Sequence, residues 1–208
     1  TSAIVGTTIP QAVGYAYALK LQKKSSVVVS FFGDGAVEEG VFHESMNFAA
    51  LKNLPIIFIC ENNGYSIHTP LLERQSLDNI SERIGGYGIP SHRIEDNDIY
   101  QIFRWTQTAV ENIRGAGSGP AFLECLTYRW MEHVGPKEDF DAGYRTRSEA
   151  RPWLDNDQVR IVGERLDSSE RLSIEEEVEE ELRQAFGFAE ESPFPGDEEL
   201  YTGLFKES

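Results

Sequence analysis

The sequence predicts an α/β fold, a parallel sheet with helices on both faces, and three observations carry that prediction. Two short runs, Val27 to Phe32 and Ile56 to Cys60, are β-branched and aromatic without polar alternation, as in parallel strands covered on both sides. Between them Val41, Phe42, Ser45, Met46, Ala49 and Ala50 recur at helical spacing. Strand, helix and strand thus follow one another within about 35 residues, the pattern of a parallel crossover unit. A third buried run, Ala121 to Tyr128, extends the sheet.

Taken in order, Pro10 to Lys24 reads as a helix whose small and apolar positions are Ala12, Val13, Ala16, Tyr17 and Leu19, with Pro10 tolerated in the first turn. The first strand follows, then the helix Glu38 to Lys52, then the second strand. A polar loop leads to a short helix from Leu77 to Ile84 and a glycine-rich turn at Gly85 to Gly88. A longer helix from Asp98 to Arg114 is broken by Gly115-Ala-Gly-Ser-Gly-Pro120 before the third strand. Trp130 to Tyr144 has no periodicity and reads as a long loop, a kind of segment that is often functional. Two more helical patterns follow Trp153. The second carries an apolar stripe, Ile174, Val178, Leu182, Ala185 and Phe186, opposite a glutamate-rich face that reads as solvated. The expected organisation is an α/β domain over residues 1–150 with an acidic helical extension over 151–208.

Composition narrows the function. The chain has 208 residues and a net charge of -16, and residues 151–208 hold 17 acids against 6 bases. Such a field repels polyanions, which argues against nucleic acid as a partner. The longest apolar runs fall far short of the roughly 20 residues that span a bilayer, and no signal segment opens at Thr1, so neither membrane insertion nor secretion is expected. Cys60 and Cys125 lie singly inside apolar runs and read as buried thiols rather than as a disulfide or a zinc pair.

The chemistry sits where the strands end. The first strand runs into Gly33-Asp34-Gly35 and the second into Glu61-Asn62-Asn63-Gly-Tyr65, with 26 residues between the GDG and the NN. In an open parallel sheet the carboxyl edge is where ligands bind, so Asp34 and Asn63 are expected to converge. A carboxylate and an amide oxygen suit magnesium, which keeps waters and is commonly completed by phosphate oxygens. Gly33 and Gly35 permit close approach of the backbone to such a phosphate. Taken singly, GDG is a tight turn and Asn-Asn a loop; their spacing and context together point to a site. A dinucleotide-binding turn is disfavoured because Gly6-Thr-Thr-Ile-Pro lacks the G-x-G-x-x-G pattern.

GDG, 26 residues and NN resemble the thiamine diphosphate signature. The wider wording GDGAVEEGVFHESMNFAALKNLPIIFICENNGYSIHT is similar to the alpha subunit of the first, decarboxylating component of 2-oxo acid dehydrogenase complexes. So are the opening SAIVGTTIPQAVGYAYA, the strand and loop TYRWMEH, YRTR at Tyr144 to Arg147, and the ending AEESPFPGDEELY. The resemblance implies a thiamine diphosphate-binding fold. It implies Asp34, Asn63 and the Tyr65 carbonyl as Mg2+ ligands, Gly35 and Ala36 along the diphosphate, Val5 against the aminopyrimidine, and His133 as the catalytic loop histidine. It also implies a beta subunit that supplies the activating glutamate, an alpha2 beta2 assembly, a small 2-oxo acid substrate and a lipoyl-bearing acyltransferase as acceptor. The compartment implied is the cytoplasm, or the mitochondrial matrix in a eukaryote.

Glu44 and Asn47 also match family positions, with Glu44 either buttressing the site or forming a surface pair. Arg129 meets either phosphate or a carboxylate such as Asp139. Three departures stand out: family members carry a segment before the position of Ser2, the loop reads Met131-Glu132-His133 where relatives begin His-Gly-His, and Trp130 to Gly143 has no Ser or Thr to phosphorylate. The altered loop leaves open transfer to a carbonyl acceptor in a biosynthetic reaction. The absent segment leaves open a noncatalytic scaffold.

Overall fold

The computed structural model of the protein describes residues 4–203, so Ser2 and Ala3 of the family-like opening lie outside the described residues. The chain runs α1 (Thr8–Leu21), β1 (Val28–Gly33), a 3-10 turn (Asp34–Glu38), α2 (Gly40–Lys52) and β2 (Ile56–Asn62). A small hairpin, β3 (Tyr65–Ser66) and β4 (Thr69–Pro70), leads into α3 (Leu71–Arg74), α4 (Ile80–Gly85) and β5 (Ser91–Ile94). Then come α5 (Ile99–Ala116), β6 (Ala121–Leu126), α6 (Arg147–Asp155), α7 (Gln158–Gly163) and α8 (Ser168–Glu191). The four-stranded sheet has the order β1-β2-β6-β5 and every pairing in it is parallel.

Local chemistry sets the element ends. Asp98 caps α5 by accepting from the N–H groups of Tyr100 (2.7 Å) and Gln101 (3.2 Å). Asn79 does the same for α4 through the Glu82 N–H, at 3.1 Å. Asn53 ends α2 in the left-handed region, where an asparagine is tolerated better than most residues.

The core lies on both faces of the sheet, as the sequence predicts. On one side Ile9, Val13 and Ala16 of α1, Phe42 and Met46 of α2, and Ile80 and Ile84 of α4 pack on Phe32, Phe58, Cys60 and Phe122. Ala109 and Ile113 of α5 meet Ile57, Ile59, Leu123 and Cys125 on the other. Phe42, Phe58 and Phe122 are fully buried, and truncating any one to alanine costs about 3–5 kcal/mol.

Two expectations need correction. The first strand is not covered on both faces: Ser30 and Phe32 are buried, but Val29 is 38% and Phe31 60% exposed. The cause is position, since β1 is the edge strand and α5 packs against residues of β2 and β6. Strand β5 is absent from the sequence reading because Ser91, His92 and Arg93 are polar and only Ile94 enters the core. The hairpin β3–β4 is likewise too short to carry a pattern.

Residues to Gln158 form one compact unit and those from Val159 a second. The second holds α8, capped by Asp167 accepting from the Ser169 N–H (2.9 Å), and no residue of α8 is buried. Its apolar stripe stands open, with Ile174, Val178 and Leu182 each close to half exposed. No helix among the described residues is long and apolar enough to cross a membrane.

Candidate functional site

β1 and β2 are parallel neighbours whose carboxyl ends lie in register, Gly33 opposite Glu61, so the turns that follow them emerge side by side. The first turn carries Asp34, 1% exposed, and the backbone N–H of Asn63 from the second lies close enough to favour its charged form. The sequence-distant Asp34 and Asn63 therefore meet. Burial pushes the Asp34 carboxyl above the ordinary carboxylate range, against the pull of the Arg74 guanidinium beside it.

Arg74, at the end of α3, is the principal countercharge in this cluster. It donates to Asp34 through one Nη and to Glu38 through the other, and Gln75 Nε2 donates to the same Glu38 oxygen at 2.9 Å. Gln75 Oε1 is buried without a hydrogen-bond partner, an orphan acceptor in a site otherwise short of positive charge. Asn63 folds back on its own backbone: Oδ1 accepts the Tyr65 N–H at 3.0 Å, which spends one lone pair and leaves the other.

No group of three or more His, Cys, Asp or Glu side chains converges among the described residues. The oxygen ligands offered where the two turns meet are the Asp34 carboxylate, the Asn63 amide oxygen and backbone carbonyls, with Glu38 and Gln75 behind Arg74. They suit a hard cation that fills its remaining positions with water and a ligand's phosphate oxygens. Gly35 sits tight in this turn, because an added Cβ would come within 2.8 Å of Ser66 Oγ. Ala36 is buried, and Gly33 is exposed at the end of β1. Val5, 58% exposed, precedes Gly6, which adopts φ +79° and packs against Glu39 and Val41. The opening segment thus reaches the far end of the Asp34 turn.

His133 is placed differently. Its ring is exposed, and no hydrogen bond or ion pair links it to Asp34 or Asn63 among the described residues. The loop that carries it is nonetheless held from beneath. Arg145, its side chain fully buried, pairs with Asp139, donates to the carbonyls of Arg129 and Met131, and lies over the rings of Tyr128 and Phe140 at 5.2 and 5.0 Å. Arg129 donates to Tyr144 Oη (2.6 Å) and to the Ile67 carbonyl (3.3 Å), tying the loop to the hairpin that follows Asn63. Asp139 is its carboxylate neighbour, at 3.5 Å. Tyr65 and Tyr144 meet edge to face at 5.5 Å.

A cavity of about 330 Å³ opens beside this junction, lined by Asn63, Tyr65, Leu71, Tyr128 and Trp153. Glu149 accepts the Tyr65 hydroxyl at 2.6 Å there, which with burial pushes the phenol up. Glu44 and Asn47 are exposed on α2, His43 bonds Tyr87 Oη, and His68 packs on Tyr144. Both cysteines are free and buried, and burial pushes the Cys125 thiol to about 11. Sequence reasoning missed Arg74, Gln75 and Glu124. Only Glu124 had a signal, a lone acid inside an apolar strand.

The model of the dehydrogenase E1 component matches residues 1–197. The chain belongs to the dehydrogenase E1 component family. Among curated E1 relatives, the alpha subunit of acetoin:2,6-dichlorophenolindophenol oxidoreductase from Bacillus subtilis is 35% identical, covering 97% of this chain and 61% of that one. The pyruvate dehydrogenase E1 component subunit alpha of Zymomonas mobilis is 34% identical over 97% of this chain and 57% of its own length. The human mitochondrial 2-oxoisovalerate dehydrogenase subunit alpha is 35% identical over 99% and 47%. This E1-family chain therefore spans roughly half to three fifths of the length of the curated relatives it matches. A solved structure from Mycobacterium smegmatis, assigned as a thiamin diphosphate-dependent enzyme, aligns with TM-score 0.50 and 26% identity over 62% of this chain and 23% of that one. The parallel sheet flanked by helices is shared with it.

Proposed function

We propose that the chain is the alpha-type part of a thiamine diphosphate-dependent enzyme that decarboxylates a small 2-oxo acid and passes the acyl group to a lipoyl-bearing acyltransferase. The observation that carries this reading is the buried, charge-deficient Asp34 turn lying against the Asn63 turn at the carboxyl edge of the sheet. When bound, thiamine diphosphate supplies a nucleophilic carbon and an electron sink for decarboxylation.

In this reading Asp34, Asn63 Oδ1 and the Tyr65 carbonyl hold Mg2+, and Gly33, Gly35 and Ala36 let backbone N–H groups approach the diphosphate. The metal offsets phosphate charge that a chain of -16 would otherwise repel. Val5 offers backbone to the aminopyrimidine. His133, exposed on a loop braced by Arg145, donates a proton to, or orients, the acyl group during transfer. A beta subunit supplies the activating glutamate, within an alpha2 beta2 assembly in the cytoplasm or mitochondrial matrix.

Calorimetric titration of thiamine diphosphate with magnesium into the chain, alone and with a beta-type partner, tests the reading. Magnesium-dependent binding supports it, and a folded chain that binds in neither case overturns it. His133→Ala is expected to keep cofactor affinity and slow acyl transfer. A second reading, transfer to a carbonyl acceptor, is favoured by Met131-Glu132 in the loop and by the acetoin-named relative. Reductive acylation of lipoamide supports the first, and a new carbon–carbon bond the second.

A further inference from the structure

We infer that Glu124 is a positioning residue for the proposed metal turn, acting through the side chain of Asn62; the inference rests on the cofactor reading above. Glu124 is fully buried in β6, on the same face as Phe122. The register sets it opposite Cys60, so Asn62 is its diagonal neighbour across the β2–β6 ladder. Both carboxylate oxygens are engaged. Oε1 accepts from Asn62 Nδ2 at 2.7 Å and lies 3.9 Å from Arg93 Nη1, while Oε2 accepts the backbone N–H of Ser81 at 2.9 Å.

An ionised carboxylate only accepts, whereas an asparagine amide presents a donor end and an acceptor end. Glu124 therefore dictates which end of Asn62 faces it: Nδ2 turns inward and Oδ1 is left to accept the Gly64 N–H, at 3.0 Å. That bond shapes the turn at Gly64, whose φ of +79° an L side chain rarely adopts. The next residue repeats the motif, with Asn63 Oδ1 accepting the Tyr65 N–H at 3.0 Å. The direction of one buried amide thus sets the Gly64 turn between the Asn63 oxygen and the Tyr65 carbonyl, the two groups that the turn after β2 would offer to the metal.

A purely structural account would have Glu124 there to satisfy the Ser81 N–H at the start of α4. The two accounts part at Glu124→Gln. The glutamine oxygen still serves Ser81, but its NH2 then faces the Asn62 NH2, donor against donor. The paired exchange Asn62→Asp with Glu124→Gln restores the three hydrogen bonds and gives up only the 3.9 Å pairing with Arg93, because the new amide donates to the new carboxylate, whose second oxygen accepts the Gly64 N–H.

The experiment measures the affinity of magnesium with thiamine diphosphate in the full chain with its beta-type partner, and amide hydrogen exchange at Gly64 without cofactor. Glu124→Gln is expected to weaken affinity by about tenfold or more and to speed exchange at Gly64; the double variant is expected to return both toward wild type. The inference is overturned if the single variant binds and exchanges like wild type, or if the double variant is no better than the single or does not fold. A wild-type chain that binds no cofactor would overturn the proposed function instead, and exchange at Gly64 would still decide whether Glu124 sets the turn.

Discussion

Two buried aspartates, each paired with arginine, behave in opposite ways. Asp34 has one guanidinium, and burial leaves its carboxyl above the ordinary 3.8. Asp139 is also desolvated, yet it accepts from the Tyr144 hydroxyl and from Arg145, with Arg129 nearby, and these outweigh burial and hold it below 3.8. Two things differ: Asp34 lies deeper and faces one guanidinium, whereas Asp139 lies shallower and faces two guanidinium groups and a phenol. Asp139 is a finished staple inside a loop. Asp34 shares its one guanidinium with Glu38, so the cluster has more carboxylate than cation, which is what a metal ion can complete.

Removing each aspartate's function tests the contrast, beginning where the effect is largest. Asp34→Ala is expected to weaken magnesium-dependent thiamine diphosphate binding by about 100-fold or more; titration calorimetry that found unchanged affinity would break the assignment. Arg145→Met attacks the other side. It leaves Asp139 short of its main partner and is expected to cost about 3 kcal/mol, with faster amide exchange confined to residues 129–146. Equal loosening of the Asp34 turn would mean that the two regions are not independent.

The third test is pH. A depressed folded pKa contributes stability that is present above the unfolded value of 3.8 and is lost as pH falls through the folded value. Asp139→Asn is therefore expected to melt lower than wild type at neutral pH, with the gap closing as pH drops below 3.8. A gap independent of pH would show that the carboxylate charge is irrelevant to the staple.

Gly35→Ala is a smaller perturbation. Its Cβ meets the movable Ser66 hydroxyl at 2.8 Å, so a cost of about 1 kcal/mol is expected, partly relieved by adding Ser66→Ala. Smallest of all, Arg151→Ala breaks an exposed pair with Asp155 and should leave the melting temperature unchanged.

Much of this contrast is not legible in the sequence, for identifiable reasons. The GDG and NN turns are legible because strands covered by helices must be continuously apolar and their polar endings then stand out. Arg74 and Gln75 lie in a polar stretch with no period, and nothing in their local sequence says that they fold back some forty residues onto Asp34 and Glu38. Arg129, Asp139, Tyr144 and Arg145 are conspicuous in the loop, but which of them pair depends on how the loop closes on the Tyr65 hairpin.

Hydrophobic period and turn chemistry are local, so the α/β class, the order of the main strands and helices, the buried thiols and the two strand-end turns are all written in the sequence. That β1 lies at an edge with Phe31 open, that β5 joins the sheet, that Arg74 pairs with Asp34 and that Glu124 bonds Asn62 come from the tertiary structure alone. Those facts depend on which distant groups share a low-dielectric space. Burial and charge pairing act through distance in the fold, and separation along the chain does not encode it.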